Sequence, residues 1–94
     1  MKIPFSIIGK TPEGNLVVSG CWLARDQFGI PFDTTFDALK NANAFPDWKE
    51  ILAGAKKQGV NKSKFLTELE TETVAAFGKD CWVKVEGYFT EGLQ

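Results

Sequence analysis

The sequence lacks histidine altogether and contains one arginine and two cysteines among its 94 residues. Without histidine, the chain has none of the side chain that most often serves as a general base and as a neutral metal ligand. Two distant cysteines cannot supply the four ligands of a structural zinc site. The sequence therefore predicts no metal and no other cofactor, and it favours a non-enzymatic protein.

Long apolar runs are also missing. The apolar stretch near residue 1 is short, is interrupted by Pro4 and leads into a polar turn, which does not fit a signal peptide. No window approaches the roughly 18 apolar residues that a membrane-spanning helix needs. We therefore expect a cytoplasmic protein without membrane contact, in which Cys21 and Cys81 stay reduced.

The overall composition is that of an ordinary globular domain. Hydrophobic residues make up 44% of the chain and charged residues 24%, which are typical values for such domains. The length allows one domain, and we predict that residues 1–94 form it. Eleven basic and twelve acidic residues give a net charge of −1, which argues against a general polyanion binder.

Three segments have the pattern of β-strands. Residues 2–8 and 16–25 are rich in β-branched and apolar side chains, and the turn-forming residues 11–15 lie between them, so the two segments predict a hairpin. Residues 81–89 alternate between a more apolar and a mixed face, which predicts a last strand.

Helical spacing occupies the region between these strands. Three helices are predicted, each beginning at a residue that suits an N-cap and two of them ending at a glycine. Their approximate spans are 33–43, 47–59 and 61–78. The order β-β-α-α-α-β, with three to four strands, predicts a two-layer α+β domain whose small, mainly antiparallel sheet packs against helices.

Aromatic side chains suggest a first binding surface. If Val83 and Val85 face the helices, Trp82 and Tyr88 lie on the opposite face of the sheet, and exposed aromatic patches mark partner surfaces. The predicted surface for a protein partner or for a second copy in a homodimer contains Trp22, Trp82, Lys84, Glu86 and Tyr88. The alternative is that the loop at residues 26–32 covers these rings.

A basic segment suggests a second function, nucleic-acid binding. Ala55, Gly59 and Phe65 have the spacing of a helix-turn-helix, and no acidic residue stands between positions 50 and 68. The lysines that would contact phosphates are Lys56, Lys57, Lys62 and Lys64. Glutamates at positions 68, 70 and 72 argue against this function, as does the single arginine, because base readout relies on arginine. A third alternative is a small-ligand pocket between sheet and helices, for which the sequence indicates no residues.

Overall fold

The computed structural model describes residues 5–93, and within this range the chain forms a small α+β fold of three strands and five helices. In chain order the elements are β1 (Ser6–Lys10), β2 (Leu16–Ser19), α1 (Cys21–Phe28), α2 (Phe32–Asn41), β3 (Ala44–Pro46), α3 (Trp48–Gln58), α4 (Lys62–Phe77) and α5 (Lys79–Gly92). The predicted α+β class is confirmed, as is an N-terminal hairpin followed by helices. Residues 2–4 of the predicted first strand lie outside the described range.

The sheet is mixed, not mainly antiparallel as predicted. Its strand order is β1-β2-β3, with β1 antiparallel and β3 parallel to the central β2. Val18 of β2 pairs with Ile7 on one side and with Pro46 on the other. A parallel neighbour requires a crossover connection, and α1 and α2 supply it here.

The second strand is shorter than the sequence predicted. It ends at Ser19, because Gly20 adopts a left-handed conformation with φ 118° and helix α1 begins at the next residue. The Gly20 N–H donates a hydrogen bond to Glu50 Oε1 at 2.8 Å. Residues 21–25 look apolar on both faces because Cys21, Trp22 and Ala24 are the buried side of a helix. Helix α1 also occupies part of the loop predicted at 26–32.

The prediction of a last strand at residues 81–89 is wrong, because this segment is part of α5. Trp82 and Phe89 are seven residues apart and both are buried, which is the spacing of one helix face. Val83 is 63% exposed, whereas the alternating pattern placed it on the buried face. The third strand of the sheet is instead β3, whose three residues are too few to show an alternating pattern.

The second and third predicted helices are confirmed as α3 and α4. Asp47 caps α3 by accepting a hydrogen bond from the Lys49 N–H at 3.1 Å, and Gly59 ends it with φ 70°. Asn61 caps α4 in the same way through the Lys64 N–H at 3.0 Å. The first predicted helix corresponds to α2, which begins slightly earlier, after Pro31.

Aromatic side chains from several helices form the core. Phe32, Phe36 and Phe89 are fully buried, and the rings of the first two stack with centroids 5.0 Å apart. The Arg25 guanidinium lies 5.2–5.6 Å from the ring centroids of Trp22, Phe32 and Phe65. In the part of the chain that the structure describes, no helix is both long and apolar enough to cross a bilayer.

Candidate binding groove

The aromatic sheet face predicted from the sequence is not present. Trp22 lies in α1 and Trp82 in α5, and their side chains are 8% and 4% exposed, so both belong to the core. Lys84, Glu86 and Tyr88 are exposed, but on helix α5 and not on a strand. Of the five predicted residues, Lys84 and Tyr88 line a groove beside α5. Glu86 does not line it.

A groove of about 680 Å³ separates the hairpin turn from helix α5. The turn and β2 form one side, α5 forms the other, and residues from β3, the start of α3 and the end of α4 complete the lining. Its apolar lining residues are Val17, Phe45, Pro46, Trp48, Phe77, Val85 and Tyr88. Its polar lining residues are Thr11, Glu13, Asn15, Asp47, Lys49, Asp80 and Lys84, together with the thiol of Cys81.

One face of α5 provides the helical side of the groove. Cys81, Lys84, Val85 and Tyr88 line it, at spacings of three, four and seven residues that place side chains on a common helix face. Another face of the same helix buries Trp82 and Phe89 in the core. Burial of these two rings therefore fixes the rotation of α5 and directs Tyr88 to the groove.

Hydrogen bonds hold the turn on the opposite side in place. The Gly14 N–H donates to the Thr11 carbonyl at 2.9 Å, and the Asn15 N–H donates to Thr11 Oγ1 at 3.1 Å. The Asn15 side-chain amide donates to Asn43 Oδ1 at 2.8 Å, which ties the turn to the loop before β3. These bonds order the turn before anything binds.

The aromatic wall of the groove rests on the core. The Trp48 ring makes edge contacts with Phe36 and Phe89, both fully buried, at centroid distances of 5.9 and 6.0 Å. Phe77 packs against Phe45 at 5.1 Å and against Trp48 at 6.3 Å. Since each wall ring is held by others, the apolar surface is formed in advance.

The polar groups of the groove lie around its edge. Glu13, Lys49, Asp80 and Lys84 are exposed, and the Asp47 carboxylate is occupied as the cap of α3. The half-buried Cys81 is the exception: burial raises the pKa of its thiol, and the charge of Lys84 partly opposes this. Among residues 5–93, no group of three or more metal-ligating side chains of the His, Cys, Asp and Glu types comes together. The arrangement suits contact with apolar groups, flanked by charges of both signs.

Sequence reasoning missed most residues of the groove. Trp48 falls within the helix predicted at 47–59, but its half-buried position in the groove depends on three-dimensional packing. Phe45 belongs to a strand that the sequence did not indicate. The sequence indicates no residues for the alternative small-ligand pocket, so none of the groove's lining follows from it.

The basic segment forms a corner where two helices meet. Lys56 and Lys57 lie in the last turn of α3, and Lys62 and Lys64 lie in the first turn of α4. All are exposed except Lys62, which is half-buried. The connection at residues 59–61 is a short turn with Gly59 in the left-handed region. Helices α3 and α4 hardly contact each other beyond this turn, so the packed helix pair of a helix-turn-helix is not present among the described residues. These four lysines form a basic corner of the molecule.

Comparisons of the chain with protein-family models, with curated proteins and with solved structures find no match. The function is therefore argued from the groove and the basic corner.

Proposed function

We propose that this protein is a non-enzymatic interaction domain that binds a short apolar segment of a partner protein in the groove beside α5. The observation that carries the proposal is the preformed apolar groove of about 680 Å³ with aromatic walls. This retains the interaction function expected from the sequence and moves its surface from the sheet to the groove.

The chemistry of the lining supports a protein segment as the occupant. Protein interfaces combine an apolar centre with a polar, solvent-accessible rim, and their strongest contacts are enriched in tryptophan and tyrosine. Trp48 and Tyr88 lie in the apolar lining, while exposed carboxylates and lysines border it. Tyr88 is 42% exposed in the free protein, so burying its ring on binding removes apolar surface from water.

A polar metabolite fits the groove less well. Sites for such molecules contain a few convergent polar groups that fix the orientation of the ligand. Here the Asn15 amide already donates to Asn43, and the Asp47 carboxylate already accepts from the Lys49 N–H. The remaining charged groups are exposed at the edge. The lining therefore provides apolar contact area for a ligand and few unpaired polar groups that could orient it by hydrogen bonds.

A small apolar ligand is the second candidate function. The volume of about 680 Å³ falls within the range of roughly 300–1,000 Å³ that is usual for small-molecule sites. A compact apolar molecule would use the same aromatic walls. The experiment below distinguishes this candidate from a peptide, because each binder is offered separately.

The test is selection of short random peptides on the folded protein, followed by affinity measurement. We expect the enriched peptides to share apolar side chains and to protect Cys81 from thiol reagents, because Cys81 lines the groove. Tyr88→Ala should weaken their binding by about 30-fold, since loss of an aromatic anchor costs about 2 kcal/mol at an interface centre.

Val83→Ala is the matched control, because Val83 is an exposed apolar residue of α5 that does not line the groove. It should bind the selected peptides with unchanged affinity. The proposal is overturned if no peptide is enriched, or if the Tyr88 and Val83 variants bind the peptides alike. Protection of Cys81 by a small apolar dye without any peptide binding would instead establish the second candidate.

A further inference from the structure

Helix α4 begins with charges that oppose its own dipole. Lys62 and Lys64 lie in its first turn, which contains no acidic residue. The N-terminus of a helix carries a partial positive charge, so cations there are unfavourable and anions are favourable. Helix α5 also begins with a lysine, but Asp80 follows it in the first turn. Local helix energetics therefore do not explain the lysines of α4, whereas a bound anion would.

The two lysines at the end of α3 add positive charge beside those at the start of α4. Lys56 and Lys57 are exposed in the last turn of α3, where positive charge is favourable for the helix. The three-residue connection at 59–61 brings this turn next to the start of α4. Four lysines therefore border one short turn.

The exposed face of α4 continues from this corner. Exposed positions recur along the helix at the spacing of a single face, and its first three turns present small hydroxyl side chains. These residues are Ser63, Thr67 and Thr71, with Lys64 beside them. The Thr67 and Thr71 hydroxyls donate to the carbonyls of Ser63 and Thr67 at 2.9 Å, so their oxygens can still accept hydrogen bonds from a partner.

The acidic residues of α4 are less of an obstacle than the sequence suggested. Glu68 accepts hydrogen bonds from Arg25 at 2.8 and 3.0 Å, so a cation already neutralises its charge. Glu72 is half-buried, and partial burial together with the nearby charges of Asp33 and Glu68 raises its pKa. Of the three glutamates, Glu70 remains as an exposed residue of the outward face.

We infer that the basic corner and the outward face of α4 form a second binding surface, whose partner is duplex DNA. The four lysines contact the phosphate backbone, and the start of α4 lies at the major groove. This surface is separate from the groove beside α5, and the inference does not depend on the proposed function.

The shape of the surface favours DNA over RNA. The major groove of B-form DNA admits an α-helix, whereas the major groove of A-form RNA is too narrow for side chains to read. Threonine methyl groups and hydroxyl oxygens suit contacts with thymine methyls and base-edge donors. With a single arginine in the chain, we expect backbone contacts to dominate and sequence preference to be weak.

The experiment is fluorescence anisotropy of a labelled DNA duplex at increasing salt. If four phosphates are neutralised, the affinity should fall roughly 150-fold between about 50 mM and about 200 mM salt. Lys62→Gln with Lys64→Gln should lower the affinity and reduce that fall to about 12-fold. The same double variant should melt at a higher temperature, because it removes the unfavourable charges from the start of α4.

Lys40→Gln with Lys79→Gln is the matched control, since both lysines are exposed and lie outside the basic corner. This variant has the same net charge as the first and should keep the full salt dependence. The inference is overturned if the DNA does not bind at about 50 mM salt, if both double variants bind alike, or if duplex RNA or polyglutamate binds as tightly as DNA.

Discussion

The two cysteines differ in how far the fold shields their thiols. Cys21 is fully buried, and burial raises its pKa to about 12, although a hydrogen bond with Thr35 acts in the opposite direction. Cys81 is half-buried, and its pKa is raised less strongly. The thiolate is the reactive form of cysteine, so a raised pKa slows reaction at neutral pH.

We predict that the native protein reacts with one equivalent of a chromogenic disulfide reagent, at Cys81. The reaction should accelerate as the pH rises toward and beyond 9.0, the ordinary value for a thiol, because the deprotonated fraction increases. The second thiol, Cys21, should react only after denaturation. Absorbance of the released reagent measures both stages.

Cys81→Ser provides the control for this prediction. It should remove the native-state reaction and leave one thiol that is detected in denaturant. Equal reaction rates of Cys21 and Cys81 in the native protein would contradict the burial of Cys21 at the start of α1.

At the scale of single residues, the sequence predicted the caps of α3 and α4 but not the start of α2, where Pro31 and not residue 33 stands at the N-cap position. Asp47, Asn61 and Gly59 perform the roles expected of them, because a cap depends on local backbone geometry. The solvent exposure of individual side chains could not be predicted in this way, because it depends on which elements pack together. The sequence predicts Trp22 and Trp82 on a surface, but both belong to the hydrophobic core, where the Trp22 ring packs against Phe65 of α4.

At the scale of elements, two glycines inside helices differ in their surroundings. Gly54 in α3 faces the Trp22 ring so closely that an added Cβ would collide with it, whereas Gly87 in α5 has open space around it. Alanine has a higher helix propensity than glycine by about 1 kcal/mol. The same substitution should therefore have opposite effects at the two positions.

We predict that Gly54→Ala lowers the free energy of unfolding by about 1–3 kcal/mol, the cost of overpacking a core. Gly87→Ala should raise it by about 0.5–1 kcal/mol. Urea denaturation followed by tryptophan fluorescence measures both changes. A stabilising Gly54→Ala would show that α1 and α3 do not pack as closely as described.

The sequence predicted helices correctly where the apolar residues fit the helical period and not the strand period. The segments of α3 and α4 have apolar residues at helical spacing and a cap at each end. Residues 81–89 satisfy both periods, since Trp82, Val85 and Phe89 fit a helix face while the β-branched residues fit a strand. Tertiary packing of α5 against α4 decides between them. The strand β3 is specified by its partner β2 and has little local signal.

At the scale of the whole molecule, the outer edge of the sheet is exposed. All five residues of β1 are exposed, and the side chains of Ile7 and Ile8 are 65% and 55% accessible. An edge strand of this kind is a template for pairing with another chain. The net charge of −1 offers little repulsion between copies.

We predict weak, reversible self-association through β1, a different surface from the aromatic sheet face that the sequence suggested for a homodimer. The weight-average mass in sedimentation equilibrium should rise with protein concentration. Ile8→Lys should suppress the rise, because it places a charge on the pairing edge. Val83→Lys places the same charge at a comparably exposed site on α5 and should leave the rise in mass unchanged. The prediction is contradicted if the mass rises equally in both variants.

The α+β class was predictable at this scale because it follows from the mixture of elements. The position of the binding groove was not, because its lining residues come from three separate regions of the sequence, 11–17, 45–49 and 77–88. The sequence predicted Lys84 and Tyr88 as binding residues on the face of a strand, whereas they line the groove from helix α5. The basic corner was predictable, because its lysines are close together along the chain.

The two sides of the groove have a consequence for biosynthesis. Residues 11–17 leave the ribosome long before residues 81–88, and four helices are made between them. Domains fold as units once their sequence has emerged, so a nascent chain that stops short of α5 displays a hairpin without a groove. A partner that recognises the groove would therefore ignore incomplete chains and bind only after translation has passed α5.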